Sequence, residues 1–130
     1  MRALTICQPY AHLIIVTREK RVENRQWPTK YRGPLVIHAG KSRAWLRGEQ
    51  PTQDMAFGAA LGLVDMIDCL HIDEIELGLH DSRYPWLRNH VHTEGTWCHI
   101  YDNVRAFPQP IPWKGAQGLW EFPTANFPAL

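Results

Sequence analysis

Between residues 20 and 41 the chain concentrates side chains that bind or move charge. Lys20, Glu23, Arg25 and Trp27 come first, followed closely by Tyr31 and Arg32. In an extended segment alternate residues face opposite sides, so Glu23, Arg25 and Trp27 share one face and Val22 takes the other. Glu23 can orient Lys20 or Arg25 through a charge-assisted hydrogen bond. Trp27 can stack on a base, and Arg25 or Arg32 can contact a phosphate. These types at this spacing make a nucleotide-binding face, although a solvated ion network beside a structural tryptophan would use the same residues. His38 and Lys41 lie in or just after the next apolar run. They join the first cluster if the two extended segments are neighbours, as consecutive elements often are. His38 then adds a titratable group and Lys41 a cation; a core histidine with satisfied hydrogen bonds is the other way to read position 38.

Other chemistry finds weaker support. Seven histidines raise the question of a metal, but His90 and His92 are two residues apart and no third ligand has a fitting local spacing. Cys98, His99 and Asp102 would approach them only through the fold, so neither a metal nor a cofactor is expected. Cys7, Cys69 and Cys98 are odd in number, widely separated and outside any CxxC pattern. They cannot all pair within the chain, and a reducing cytoplasm is the expected location. Cys7 reads as core filler behind Pro9 rather than as an activated thiol.

The elements that must position these groups follow from pattern. Residues 3–7 form a short strand, and Pro9 suits the first turn of a helix over residues 9–17, with His12 near the edge of its apolar face. Residues 20–27 are extended. A strand over 35–39 puts Leu35 and Ile37 on one face and Val36 and His38 on the other. Ser42 caps a short helix containing Trp45 and Leu46, and residues 48–54 form a polar surface loop. Residues 59–69 are apolar at both parities, as a central strand requires, and Gly58 and Gly62 permit a bulge or a close backbone approach. Residues 74–90 make a short-helix or loop excursion. Strand character returns over 97–107, then Pro108, Pro110 and Pro112 form a restrained turn before a last strand over 113–122.

Composition sets the outer bounds. The chain has 130 residues, of which 45% are hydrophobic and 21% charged, the make-up of one globular unit over residues 1–130. At this size about 65–70% of the unfolded surface can be buried, so a disulfide framework or structural metal is not required. Fourteen Lys plus Arg oppose thirteen Asp plus Glu, a net charge of +1. No single-sign coat selects the partner, which leaves local patches to do so. No apolar run approaches the roughly 20 residues of a membrane helix, and no membrane partner is expected.

Four ordered segments resemble the ASCH family of the PUA-like superfamily: LTICQPYAHLI at 4–14, KRVENRQWPTKYRGPLVIHAGK at 20–41, LGLVDMIDC at 61–69 and PIPWKGAQGLWEF at 110–122. The resemblance implies an α+β fold, a compact curved β-barrel with peripheral helices, and a cleft near the first helix and residues 20–27. It also implies recognition of RNA or a modified nucleoside or nucleotide. Gln117, Gly118 and Trp120 resemble the family's closing segment, where Gln117 would offer an amide to a base edge and Trp120 would pack.

Two other functions remain open. Some relatives look like small amidohydrolases acting on acylated pyrimidine nucleosides, and others are associated with RNA cleavage. In the hydrolase pattern threonine stands three residues after the lysine, whereas here Glu23 follows Lys20. Lys20 would have to stay neutral to act as a base, and a nearby glutamate favours its charged form, hence binding over base catalysis. Ribonuclease chemistry would use His38 for proton transfer and Lys41 or Arg25 to stabilise phosphate charge. The candidate catalytic residues are therefore Lys20, Glu23 and His38. The third possibility is a protein-interaction module whose charges serve only solubility.

Overall fold

The segment that carries Glu23 and Arg25 becomes a strand because its alternation lets one face join an apolar cluster while the other lines a cleft. The computed structural model describes residues 1–128. Its strands are β1 (Arg2–Ile6), β2 (Val22–Arg25), β3 (Gly33–Ala39), β4 (Ala59–His71), β5 (Trp97–Pro112) and β6 (Leu119–Glu121). The two α-helices are α1 (Tyr10–Ile15) and α2 (Ile72–Glu76). Among the described residues the strands form one six-stranded sheet, ordered β2-β5-β4-β3-β1-β6 and curled into a partial barrel. β1 and β3 pair in parallel, with Thr5 beside His38, and every other pairing is antiparallel. The expected α+β, curved architecture is what the chain adopts. No helix among the described residues is long and apolar enough to cross a membrane.

Strand β3 is buried on both faces. Leu35 and Ile37 join Leu4, Ile6, Ile14, Ile15, Val64 and Met66 in the main core, whereas Val36 packs with Ala3, Leu63, Phe107 and Phe122 on the other side. Each fully buried isoleucine contributes about 1.5–3 kcal/mol, and that packing holds α1, whose six residues are too few for a stable isolated helix. A buried Gln8 pins the helix start: its Nε2 donates to the Ala56 carbonyl at 2.7 Å and its Oε1 accepts from the His12 backbone N–H at 2.9 Å. The helix is consequently shorter than residues 9–17, and His12 is buried rather than at an edge.

Three further expectations are corrected. β5 continues through Pro108, Pro110 and Pro112 instead of turning there. Alternate strand residues send their N–H groups to opposite edges, and these prolines share one parity. β2 covers β5 only over residues 97–100, so beyond it one edge needs no donors. Within 113–122 only β6 is a strand, and residues 113–118 form an irregular loop. Finally, β2 and β3 are not neighbours, because β5 and β4 lie between them in the sheet.

The expected close approach occurs at Gly62, where the β4–β5 register shifts. A Cβ added there would lie 2.5 Å from the Arg105 carbonyl oxygen and 2.9 Å from Ala106 Cα. Because those are backbone atoms of a paired strand, Gly62→Ala should cost about 2 kcal/mol. Urea denaturation would show a lower midpoint with little change in slope; an unchanged midpoint would mean that the two strands can separate freely here.

Candidate functional site

Two neighbouring hollows contain most of the chemistry-bearing residues, and Thr5 at the end of β1 lines both. The first, about 310 Å³, lies where β1 and α1 meet β2. Glu23 is held between two cations: its Oε1 is 3.5 Å from Lys20 Nζ and its Oε2 is 2.9 Å from Arg25 Nη2. Lys20 is only 3% exposed; its ammonium donates to the Val22 carbonyl and sits 5.4 Å from the centre of the Tyr10 ring. Arg25 Nη2 also donates to the Thr5 carbonyl at 2.9 Å, a contact that brings β2 to β1, while Arg25 Nε has no partner among the described residues. Burial pushes the Lys20 ammonium below the ordinary lysine range, and Glu23 opposes that shift without cancelling it. Glu23 does favour the charged form, as its proximity to Lys20 in sequence implies, but burial, which only the fold reveals, is the larger effect.

Sequence reasoning missed three members of this hollow. Tyr10 closes one side and Trp45, half exposed at 50%, stands edge-on to it with ring centroids 6.1 Å apart. Glu94 adds a second carboxylate, its backbone N–H donating to Asn24 Oδ1. The only available signal was an apolar aromatic in a polar stretch after Ser42, whose hydroxyl accepts from the Ala44 N–H at the start of the 3₁₀ turn Ala44–Leu46. Cys7 is also here, half-buried against the hollow rather than sealed in the core. Burial pushes the other two thiols up, Cys98 to about 11, which leaves them unreactive near neutrality.

The second hollow, about 360 Å³, takes His38, Lys41 and Gln117 together with Trp113 and Lys114 from the irregular loop. His38 Nε2 lies 2.6 Å from the Trp113 carbonyl, which can only accept, so this nitrogen carries the hydrogen. Nδ1 therefore accepts from the Thr5 hydroxyl at 3.2 Å, and that oxygen in turn accepts from Trp120 Nε1 at 3.1 Å. Both ring nitrogens are engaged by protein groups, and burial holds the imidazole below its ordinary value and hence neutral at pH 7. In this arrangement His38 fastens the loop that forms one wall of the hollow.

Trp27, Tyr31 and Arg32 line neither hollow. β2 ends at Arg25, so strand alternation no longer governs Trp27, which turns edge-on against His99 with centroids 4.9 Å apart. The Tyr31 hydroxyl donates to the Pro34 carbonyl. Arg32 donates to the Thr29 and Tyr31 carbonyls and lies 3.5 Å from Asp68. Tyr31 and Arg32 brace the turn into β3 and Trp27 packs on β5, instead of joining Lys20, Glu23 and Arg25. The meeting of His38 and Lys41 with the first cluster is also indirect, through Thr5 rather than through adjacent strands.

A family model described as "ASCH domain" matches residues 4–108. Activating signal cointegrator 1 of Mus musculus and of Homo sapiens are each 29% identical to the chain over 133 aligned positions; the alignment covers 91% of this chain and 22% of either relative. The chain thus spans about a fifth of the length of those proteins. Among solved structures, ASCH from Zymomonas mobilis is similar with a TM-score of 0.57 and 12% identity, covering 95% of this chain and 88% of that one, a likeness of fold.

Proposed function

The chain belongs to the ASCH domain family, and from that premise we propose that the first hollow binds a base of RNA or a modified nucleotide. The observation that carries this reading is the joining of flat aromatic surface to a charge-balanced polar wall. Tyr10 and Trp45 supply the aromatic surface. Lys20 and Arg25 supply two positive groups, and Glu23 and Glu94 two negative ones. A nucleobase presents both donors and acceptors on its edge and a π-face above, which is what such a wall accommodates. Arg25 Nε, buried without a protein partner, would gain an acceptor.

The test is a protein-observed NMR titration with the four nucleoside monophosphates, N4-acetylcytidine and a short single-stranded RNA. Trp45→Ala should weaken binding about tenfold, as expected for loss of one stacking contact, while leaving the melting temperature unchanged because the ring is already half exposed. Shifts confined to other surfaces, or undiminished affinity in the variant, would count against the first hollow.

One observation favours a second reading, a hydrolase acting on an acylated pyrimidine nucleoside. Burial holds Lys20 below its usual range and so raises the neutral fraction that a general base requires. Turnover of N4-acetylcytidine by the same protein, abolished in Lys20→Arg, would turn the binding site into a catalytic one; binding without product keeps recognition as the function.

A further inference from the structure

The two hollows differ in charge. Lys20 and Arg25 are balanced by Glu23 and Glu94 in the first, whereas among the described residues the second presents Lys41 and Lys114 with no carboxylate in its lining. It also holds an exposed indole, Trp113, and the Gln117 amide. We infer that the second hollow receives the adjoining nucleotide of a single-stranded chain, with Lys41 and Lys114 on the phosphate and Trp113 against the base. This inference rests on the proposed base site in the first hollow and specifies its ligand class: a chain of at least two nucleotides rather than a free nucleoside.

The second hollow is built rather than incidental. His38 fixes its wall by holding the Trp113 carbonyl and the Thr5 hydroxyl at once. Gly115 fits beneath that wall only because it has no side chain: an added Cβ would lie 2.5 Å from Thr5 Oγ1 and 2.7 Å from the His38 ring. Gly58, at φ +62°, leaves room for the Lys41 stem, two of whose methylenes lie 3.1 and 3.2 Å from where a Cβ would stand. Backbone bonds from Gly58 N–H to the Gly40 carbonyl and from Trp113 N–H to the Gly58 carbonyl tie the three contributing segments together. The glycines therefore let Thr5, His38 and Lys41 pack closely and so fix the shape of the hollow.

Continuity of the two hollows comes from Thr5. Its carbonyl accepts from Arg25 in the first and its hydroxyl bonds His38 in the second, so one residue separates the base wall from the cationic one. Each hollow presents one exposed tryptophan, the arrangement by which single-strand binders engage successive bases. A nucleoside monophosphate would use the first wall alone. Only a linked second nucleotide would satisfy both.

The test compares the affinity of the full chain for uridine and cytidine 5′-monophosphates with that for the corresponding 5′-phosphorylated dinucleotides, by calorimetry at low and moderate salt. The dinucleotides should bind at least about tenfold tighter, equivalent to about 1.4 kcal/mol. Trp113→Ala should remove that gain and leave monophosphate affinity within about twofold. Because Trp113 also packs on Phe122, Trp113→Phe serves as the folded control and should restore most of the gain. The exposed pair Lys41→Gln with Lys114→Gln should lose the gain without a change in melting temperature, and should flatten the salt dependence of dinucleotide binding. Equal binding of mono- and dinucleotides, or a gain that survives both sets of substitutions, overturns the second site while leaving the first intact. Absence of binding by mononucleotide, dinucleotide and RNA overturns both sites together.

Discussion

Glu23→Gln should lower the stability of the fold by about 3 kcal/mol at pH 7, in the range for leaving a buried charge without its partner. Lys20 is almost wholly buried, and apart from Glu23 its ammonium donates to the Val22 carbonyl. Arg25 is better exposed and can recover hydration, so Lys20 carries most of the penalty. Glutamine preserves the shape and one carbonyl acceptor, which isolates the charge. The loss has a distinctive pH dependence. With Glu23 neutralised, nothing within that ion pair opposes the burial that lowers Lys20, and its folded value moves further below 10.5. Between that folded value and 10.5 the unfolded chain binds more protons, so stability of the variant rises with pH and its deficit shrinks. Urea titrations at pH 7 and pH 9.5 would measure both effects. A deficit below about 1 kcal/mol at pH 7, or one that grows at pH 9.5, would show that Glu23 does not neutralise Lys20. Adding Lys20→Met to the variant should recover much of the loss, since an apolar side chain of similar length needs no counter-charge.

The same pair shows what could be read from the sequence and what could not. Alternation over residues 20–27 placed Glu23 and Arg25 on one face, and β2 keeps them there. Alternation said nothing about where the strand would stop, and its end at Arg25 is what sends Trp27 to His99. Likewise, Val36 and His38 were legible as the face opposite Leu35 and Ile37. The residues that occupy the His38 nitrogens, Thr5 and Trp113, stand 33 and 75 positions away and come together through parallel pairing and the closing loop. Proximity in sequence suggested that residues 20–27 and 35–39 adjoin; the sheet instead inserts two longer strands between them. Periodicity therefore carried the faces of strands and the apolar core, and the four ordered segments carried the resemblance to a family. It could not carry the division of one supposed cluster into two hollows, because that depends on contacts between distant segments. Trp45 and Trp113 were overlooked for a related reason: their use depends on exposure, which residue type alone does not supply.

Acid should weaken the molecule from the β2–β5 side, before carboxylates contribute. His99 is fully buried beside Glu23 in the strand register; its Nε2 donates to the Trp27 carbonyl at 3.2 Å and its Nδ1 has no partner among the described residues. Protonation would create a second buried N–H facing no acceptor. Burial is the main reason its folded value falls to about 4, with the Arg25 and Arg32 guanidiniums adding repulsion and the Trp27 carbonyl partly opposing them. Above pH 6.5 the ring is neutral in both folded and unfolded chains and stability is unaffected. As pH falls from 6.5 towards 4 the unfolded chain takes up a proton that the folded chain refuses, so about 3 kcal/mol is lost across that window. His38, His90 and His92 are also held below their ordinary values and add losses of the same sign. Asp54 and Asp65 are held low as well, but their stabilisation is lost only as pH falls below about 3.8. The histidine and carboxylate contributions therefore separate on the pH axis. Urea denaturation of the protein and of His99→Phe between pH 7.5 and 4.5 should diverge in slope, with the variant losing about 2.5 kcal/mol less by the acidic end. Parallel slopes would mean that His99 is readily protonated in the folded state. Because His99 supports Trp27 and pairs with the residue that holds Lys20 and Arg25, the first hollow should lose its order in the same interval.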